Sequence, residues 1–191
     1  MQIIFLLAFI NSAVFLASIF LVHKLKPDLK FLPNALSKFA LGKHGWILTI
    51  GLFAIGSAQI LLAIGLAQIS NLTLGHILLI CAGIATYFIA LYKMEYPRKT
   101  YRGRLHTISA GLQFTLFPLA LLFLNLNFKD GGIYNYTAFT YTANFIFLFI
   151  IFIFFLRGNT HESRYFGAIQ KTNIFLMSLW VGAIALVYAL S

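Results

Sequence analysis

Lys93-Met-Glu-Tyr-Pro-Arg-Lys-Thr-Tyr-Arg-Gly-Arg-Leu-His106 is the stretch that decides the fold, because it is a short charged segment between two long apolar runs. It holds five of the fourteen Lys and Arg residues and one of the four acidic residues. Pro97 cannot continue an α-helix, and it biases the residue before it toward extended conformations. The pattern therefore predicts a hinge between two membrane helices, the first ending near Lys93 and the second beginning between Thr100 and Gly103.

The composition is that of an integral membrane protein. Hydrophobic residues make up 61% of the 191 positions and charged residues 9%, whereas soluble domains have roughly 45–50% and about 25%. The net charge of +10 is spread between apolar runs, which favours an anionic bilayer surface as the neighbour and gives no indication of nucleic acid. Cys81 is the only cysteine, so neither an intrachain disulfide nor a cysteine metal site is expected.

Apolar segments long enough to cross roughly 30 Å of hydrocarbon as helices recur along the chain. They lie at about 2–22, 46–69, 74–92, 105–125, 137–156 and 172–190. The expected fold is all-α, a polytopic bundle of six transmembrane helices in a single domain over residues 1–191. The first apolar run is longer than the core of a usual signal peptide, so it is interpreted as a retained helix.

The basic residues indicate how the bundle is oriented. Thirteen of the fourteen fall in the first, third and fifth connections, and Lys129 alone falls on the other side. Lys and Arg favour cytoplasmic connections. The sequence therefore predicts a multi-pass protein of the cytoplasmic (inner) membrane with both termini on the non-cytoplasmic side.

A polar layer is expected at this basic side. Its candidate residues for binding a lipid headgroup or another anion are Arg98, Arg102, Arg104, His106 and Arg164. Glu95 and Glu162 are candidates for ion pairs that fasten two connections together. Cations beside helix N-termini, which carry about half a positive charge, would attract an anion. The layer is thus expected to bind an anionic phospholipid, a partner membrane protein or a second copy of the chain, unless the topology rule alone placed these cations.

Two histidines offer an alternative function. His23 and His106 lie near the same ends of the first and fourth segments, so they could hold a b-type haem in a membrane redox protein. No His or Cys spacing typical of a metal site is present. The simpler interpretation is that no cofactor is bound and that His106 forms a hydrogen bond to the neighbouring connection.

Three amides fall near the midpoints of predicted helices. Asn11, Gln59 and Gln113 are expected to face the bundle interior, because an amide exposed to lipid is costly. They would form hydrogen bonds between helices or, alternatively, line the polar path of a small transporter or channel. No nucleophile motif, metal set or carboxylate pair indicates an enzyme.

Three short stretches resemble a known family. Leu36-Ser-Lys-Phe-Ala-Leu-Gly-Lys-His-Gly-Trp46 enters the second helix, Tyr96-Pro97 is followed by Arg102-Gly-Arg-Leu-His106, and Gly167-Ala-Ile-Gln-Lys171 leads to Trp180. Together they are similar to a prokaryotic family of integral membrane proteins catalogued as domain of unknown function 998. The resemblance implies six helices and a shared element at His106, and it implies no activity.

Overall fold

The computed structural model describes residues 1–94, 100–156 and 165–191, and for residues 154–156 it describes the backbone alone. These parts of the chain contain helices and no strand. The helices are α1 (Gln2–Leu25), α2 (Leu36–Phe39), α3 (Gly45–Ile69), α4 (Leu74–Leu91), α5 (Tyr101–Asn125), α6 (Gly131–Leu156) and α7 (Phe166–Leu190). Six of them, all except α2, are long and apolar enough to cross a membrane. The predicted all-α fold with six spans is confirmed.

The helix after the charged hinge begins where the hinge predicts. The Thr100 side chain accepts a hydrogen bond of 3.0 Å from the Gly103 amide and so caps the first turn of α5. Two predicted helix starts were wrong, because α6 begins at Gly131 and not at residue 137, and α7 begins at Phe166 and not at residue 172. Lys171, counted above among the cations of a connection, therefore lies inside α7 and is buried. The prediction treated its charge as a helix boundary, but its ammonium reaches carbonyls of a neighbouring segment.

The described parts of the three basic connections lie at one end of the bundle, which we call the basic end. The Ser37 hydroxyl is 3.0 Å from the Met94 sulfur, which joins the first connection to the third. The Ala168 amide donates to the Leu32 carbonyl at 2.9 Å, which joins the first connection to the start of α7. This arrangement agrees with the alternation of charge in the sequence.

Close approach between helices holds the centre of the bundle together. α3 packs against both α1 and α4. A Cβ atom placed on Gly56 would lie 2.9 Å from the Gly83 carbonyl oxygen of α4, and one placed on Gly51 would lie 1.9 Å from the Ser18 Oγ of α1. Such contacts are available only to small residues, and they are a common way of packing membrane helices.

α6 is the most loosely packed span. Buried residues make up 17% of its membrane-spanning part, compared with 28–56% in the other five spans. Its first half is held to α7, because the Trp180 indole N–H donates to the Thr137 hydroxyl at 3.0 Å. In its second half Ile146, Phe149 and Phe152 are exposed. The two halves differ in packing, and a space between α5 and α6 lies beside the second half.

Candidate functional site

Segment 26–44, which connects α1 to α3, is fastened to the first turns of α7. The Leu36 amide donates to the Gln170 side-chain oxygen at 2.9 Å. A Cβ atom on Gly167 would lie 2.3 Å from the Asn34 carbonyl oxygen, so only glycine permits this approach. We call the contacts of residues 167–171 with residues 31–39 the latch.

Lys171 is the centre of the latch. Its side chain is 4% exposed, and its ammonium donates to the Phe31 carbonyl at 2.5 Å and to the Asn34 carbonyl at 2.6 Å. The same ammonium lies 4.6 Å from the ring centroid of Phe31 and 5.1 Å from that of Phe39. A buried charge is tolerated only when it is paired or hydrogen-bonded. Carbonyl oxygens and aromatic faces fulfil that requirement here.

A cavity, which we call the chamber, extends from the basic end toward the middle of the bundle. Its empty volume is about 680 Å³, including the open mouth. The centre of a water-sized molecule can occupy about 60 Å³ of that space. Along α3 it is lined from Leu48 to Gln59, a rise of about 16 Å. Its polar lining residues are Ser37, Gln59, Thr86, Lys93, His106, Gln113, Gln170 and Ser178.

The inner end of the chamber, its floor, contains an amide without a partner. Gln59 is 1% exposed, and among the residues that the structure describes neither its amide nitrogen nor its amide oxygen has a hydrogen-bond partner. Gln113, which is 7% exposed, places its amide nitrogen 4.0 Å from the Met177 sulfur. Buried polar groups almost always have hydrogen-bond partners, because an unpaired one costs about 1–3 kcal/mol. The amide of Gln59 can therefore form hydrogen bonds with a polar group that reaches the floor.

The mouth of the chamber is positively charged. Lys93 lines it and is exposed. The Lys26 ammonium donates to the carbonyl oxygens of Phe39, at 2.8 Å, and Leu41. Partial burial and the nearby charge of Lys93 lower the pKa of Lys26. Lys26 is not among the residues that line the chamber, but the charge of Lys93 reaches it.

His106 is positioned between the mouth and the floor. It is 8% exposed, and its Nδ1 lies 2.7 Å from the Tyr92 carbonyl oxygen. A carbonyl oxygen can only accept, so Nδ1 carries the proton and donates it. This is the hydrogen bond to the neighbouring connection that the sequence predicted.

A second space, which we call the groove, opens between α5 and α6 beside the chamber. It has about 1030 Å³ of space between atoms including its open side. Thr107, Gly111 and Thr115 follow one another along its α5 wall and are exposed. The groove and the chamber share the lining residues Ser37, His106, Ala110, Phe114 and Gln170. The chamber and the groove therefore adjoin at these five residues, and both are lined mainly by apolar side chains with a few polar groups.

Packed side chains lie beyond the floor. Phe117 follows Gln113 by about one helical turn, and Trp180 follows Ser178 on α7. Both rings are fully buried and meet edge to face, with centroids 5.9 Å apart. The chamber therefore ends at this aromatic pair.

The structure places the predicted site residues in different surroundings. Arg102 and Arg104 are exposed on the first turn of α5 and are not among the residues that line the chamber. Asn11 is partly exposed, and its amide donates to the Leu7 carbonyl of its own helix at 2.8 Å. Gln59, Gln113 and His106 are brought together around the chamber. Four candidates lie outside the described residues, namely Glu95, Arg98, Glu162 and Arg164.

The proposed pair of haem ligands is not brought together around the chamber. The His23 ring stacks on Phe39 with centroids 4.1 Å apart, and its Nδ1 donates to the Ile19 carbonyl at 2.7 Å. His106 lines the chamber, whereas His23 does not. This geometry does not fit a haem held by both imidazoles. Within the described parts of the chain, no group of three or more His, Cys, Asp or Glu side chains could hold a metal ion.

The three resembling stretches meet at the chamber. Ser37 comes from the first, His106 from the second and Gln170 from the third. A family model described as "Protein of unknown function (DUF998)" matches residues 9–187. The chain belongs to the DUF998 family. No curated protein and no solved structure matches the chain, so membership in DUF998 establishes the family and leaves the activity open.

Some chamber residues were missed in the sequence. Gln170 and Ser178 are two helical turns apart, so they lie on one face of α7. This spacing could have indicated a polar face, but the predicted start at residue 172 left Gln170 outside the helix. Thr86 was missed because its hydroxyl donates to the Ala82 carbonyl at 2.9 Å, as threonines in membrane helices commonly do.

Proposed function

We propose that this protein binds a membrane amphiphile, with the polar headgroup at the mouth of the chamber and the hydrocarbon chain in the groove. The single observation that carries the proposal is that the two spaces adjoin and share the lining residues His106, Ser37 and Gln170. Ligand sites are concave and mostly apolar, with a few polar groups that fix the orientation of the ligand. A chamber with a cation at its mouth and amides at its floor, beside a groove that opens between two membrane helices, could hold the headgroup and the chain of one lipid molecule.

The charge of the mouth favours an anionic headgroup. Lys93 and Lys26 lie close enough for the charge of Lys93 to lower the pKa of Lys26, and a phosphate beside them would relieve this repulsion. Arg102 and Arg104 are exposed at the same end of the bundle and would raise the local concentration of anionic lipid. The proposed ligand is therefore an anionic phospholipid.

Binding is favoured over conduction. Phe117 and Trp180 pack against each other beyond the floor, so the chamber is blind in this conformation. A separate cavity at the opposite end is lined by residues that include Ser70, His76 and Asp130. A small transporter would need the aromatic pair to separate, and retention of a lipid without its movement across the bilayer distinguishes binding from transport.

We propose that the basic end faces the cytoplasm and that the membrane is the cytoplasmic (inner) one. Apart from Lys171, twelve basic residues lie in the three connections of this end or in the helix turns that border them, against Lys129 at the other end. The positive-inside rule then places both termini outside the cytoplasm. Single cysteines at positions 38 and 102, in a Cys81→Ser chain, should both be labelled from the cytoplasmic side. Labelling from opposite sides would contradict this orientation.

Native mass spectrometry of the protein extracted in mild detergent tests the binding function. The protein should retain an anionic phospholipid, and Gly111→Leu should reduce this retention about tenfold or more by filling the groove. A Cβ at Gly111 would meet nothing within 4 Å, so the larger side chain can be accommodated without a clash at Cβ. Ala13→Leu adds bulk at an exposed position of α1 and should leave retention unchanged. Equal retention by both variants, or none by the unaltered protein, would refute the proposal.

A further inference from the structure

Resting on the proposed function, we propose that the chamber selects a phospholipid whose phosphate carries a neutral, hydroxyl-bearing substituent such as glycerol. The phosphate would lie near Lys93 and His106, where chamber and groove meet. The hydroxyl groups would extend to Gln59 and Gln113 at the floor.

The unpaired amide of Gln59 defines what this substituent must be able to do. An amide offers two N–H donors and a carbonyl acceptor, and a hydroxyl group can both donate and accept. Both polar atoms of Gln59 are buried in a cavity that it lines, and neither has a partner within residues 1–94, 100–156 and 165–191. A hydroxyl group bound there would satisfy a donor or an acceptor that the protein leaves open.

The floor excludes a charged group. Its polar lining residues Gln59, Thr86, Gln113 and Ser178 carry no charge. Moving a charge to this depth without a counter-charge would cost far more than moving a hydroxyl group. A phosphate is consequently favoured at the mouth, and a neutral group is favoured at the floor.

The dimensions agree with a small substituent. The chamber admits the centre of a water-sized molecule over about 60 Å³, which is room for a few polar heavy atoms and not for a whole headgroup with its chains. His106 and Gln113 are two turns apart on α5, a rise of about 10 Å. A glycerol unit and the extended glutamine side chains together can cover that distance.

The test compares two lipids with identical chains, dioleoylphosphatidylglycerol and dioleoylphosphatidic acid, offered to the full-length protein in equal amounts. Retention is read by native mass spectrometry. Phosphatidic acid has at least as much negative charge and lacks the headgroup glycerol, although it has the same glycerol backbone. Attraction by charge alone therefore predicts that it binds as well or better, whereas recognition at the floor predicts about a tenfold preference for phosphatidylglycerol.

Gln59→Met should remove the preference while phosphatidic acid continues to bind, because methionine keeps the shape of the side chain without its amide. Gln68→Met makes the same change at an exposed position of α3 and should keep the preference. Equal retention of the two lipids by the unaltered protein would overturn the selection and leave the proposed function standing. Retention of neither lipid would overturn the proposed function itself. The comparison of the two lipids on the unaltered protein tests the selection even if Gln59→Met does not fold.

Discussion

Replacement of Lys171 by methionine tests the latch on which the geometry of the mouth depends. The ammonium donates to two carbonyl oxygens, and Phe31 and Phe39 lie beside it. Hydrogen bonds from charged groups contribute about 1.5–3 kcal/mol each, and contacts with aromatic faces contribute about 0.5–1 kcal/mol or more. Part of this gain is offset by the cost of burying the charge. We therefore expect Lys171→Met to lower the free energy of unfolding by about 2–4 kcal/mol.

The loss should be localised. Amide hydrogen exchange in mild detergent should become roughly one-hundredfold faster for residues 31–39, since 1.4 kcal/mol corresponds to about a factor of ten in the opening equilibrium. The amides of α3 and α4 should exchange as before. Lys24→Met, which removes an exposed charge at the end of α1, serves as the control and should change neither measurement. Unchanged exchange of residues 31–39 in Lys171→Met would refute the idea that this lysine holds the connection.

Three further predictions concern Lys93, Gln59 and Lys26. Lys93→Met should weaken retention of an anionic phospholipid but not of a zwitterionic one. Because Lys93 is exposed, salt screens its charge, so the difference between the variant and the unaltered protein should shrink at high salt. Gln59→Met removes an unpaired amide. In equilibrium unfolding, the lipid-free variant should therefore be as stable as the unaltered protein or more stable by up to about 1–3 kcal/mol. A clear loss of stability would show that the amide has a partner. Burial, together with the charge of Lys93, lowers the pKa of Lys26 below its ordinary 10.5. Just below pH 10.5, the folded chain therefore binds fewer protons than the unfolded chain. The free energy of unfolding should therefore rise as pH increases toward 10.5, and Lys26→Met should flatten that rise.

The class of fold could be predicted because it depends on properties that the sequence displays directly. Hydrophobic length indicates the spans, and alternating charge indicates which connections share an end. The start of α5 was predictable from the hinge at Pro97. The start of α7 was not, because a charged residue inside a membrane helix depends on a partner, and the partners of Lys171 are backbone carbonyls more than a hundred positions away.

The site was predictable only in part, for a similar reason. Gln59 and Gln113 were expected in the interior because lipid excludes amides, and both line the chamber. Asn11 avoids an unpaired amide differently, because its side chain donates a hydrogen bond to the Leu7 carbonyl one turn earlier in its own helix. The sequence does not show which amides will find a partner within their own helix and which will face a cavity. The groove was also beyond prediction, because it depends on the unequal packing of the two halves of α6.

A density map of the protein in nanodiscs that contain phosphatidylglycerol would test the central claim most directly. We expect one continuous non-protein density, with its phosphate beside Lys93 and His106, its headgroup glycerol at Gln59 and its hydrocarbon chain between α5 and α6. A chamber that holds only separate water molecules, with α6 closed against Thr107, Gly111 and Thr115, would contradict it.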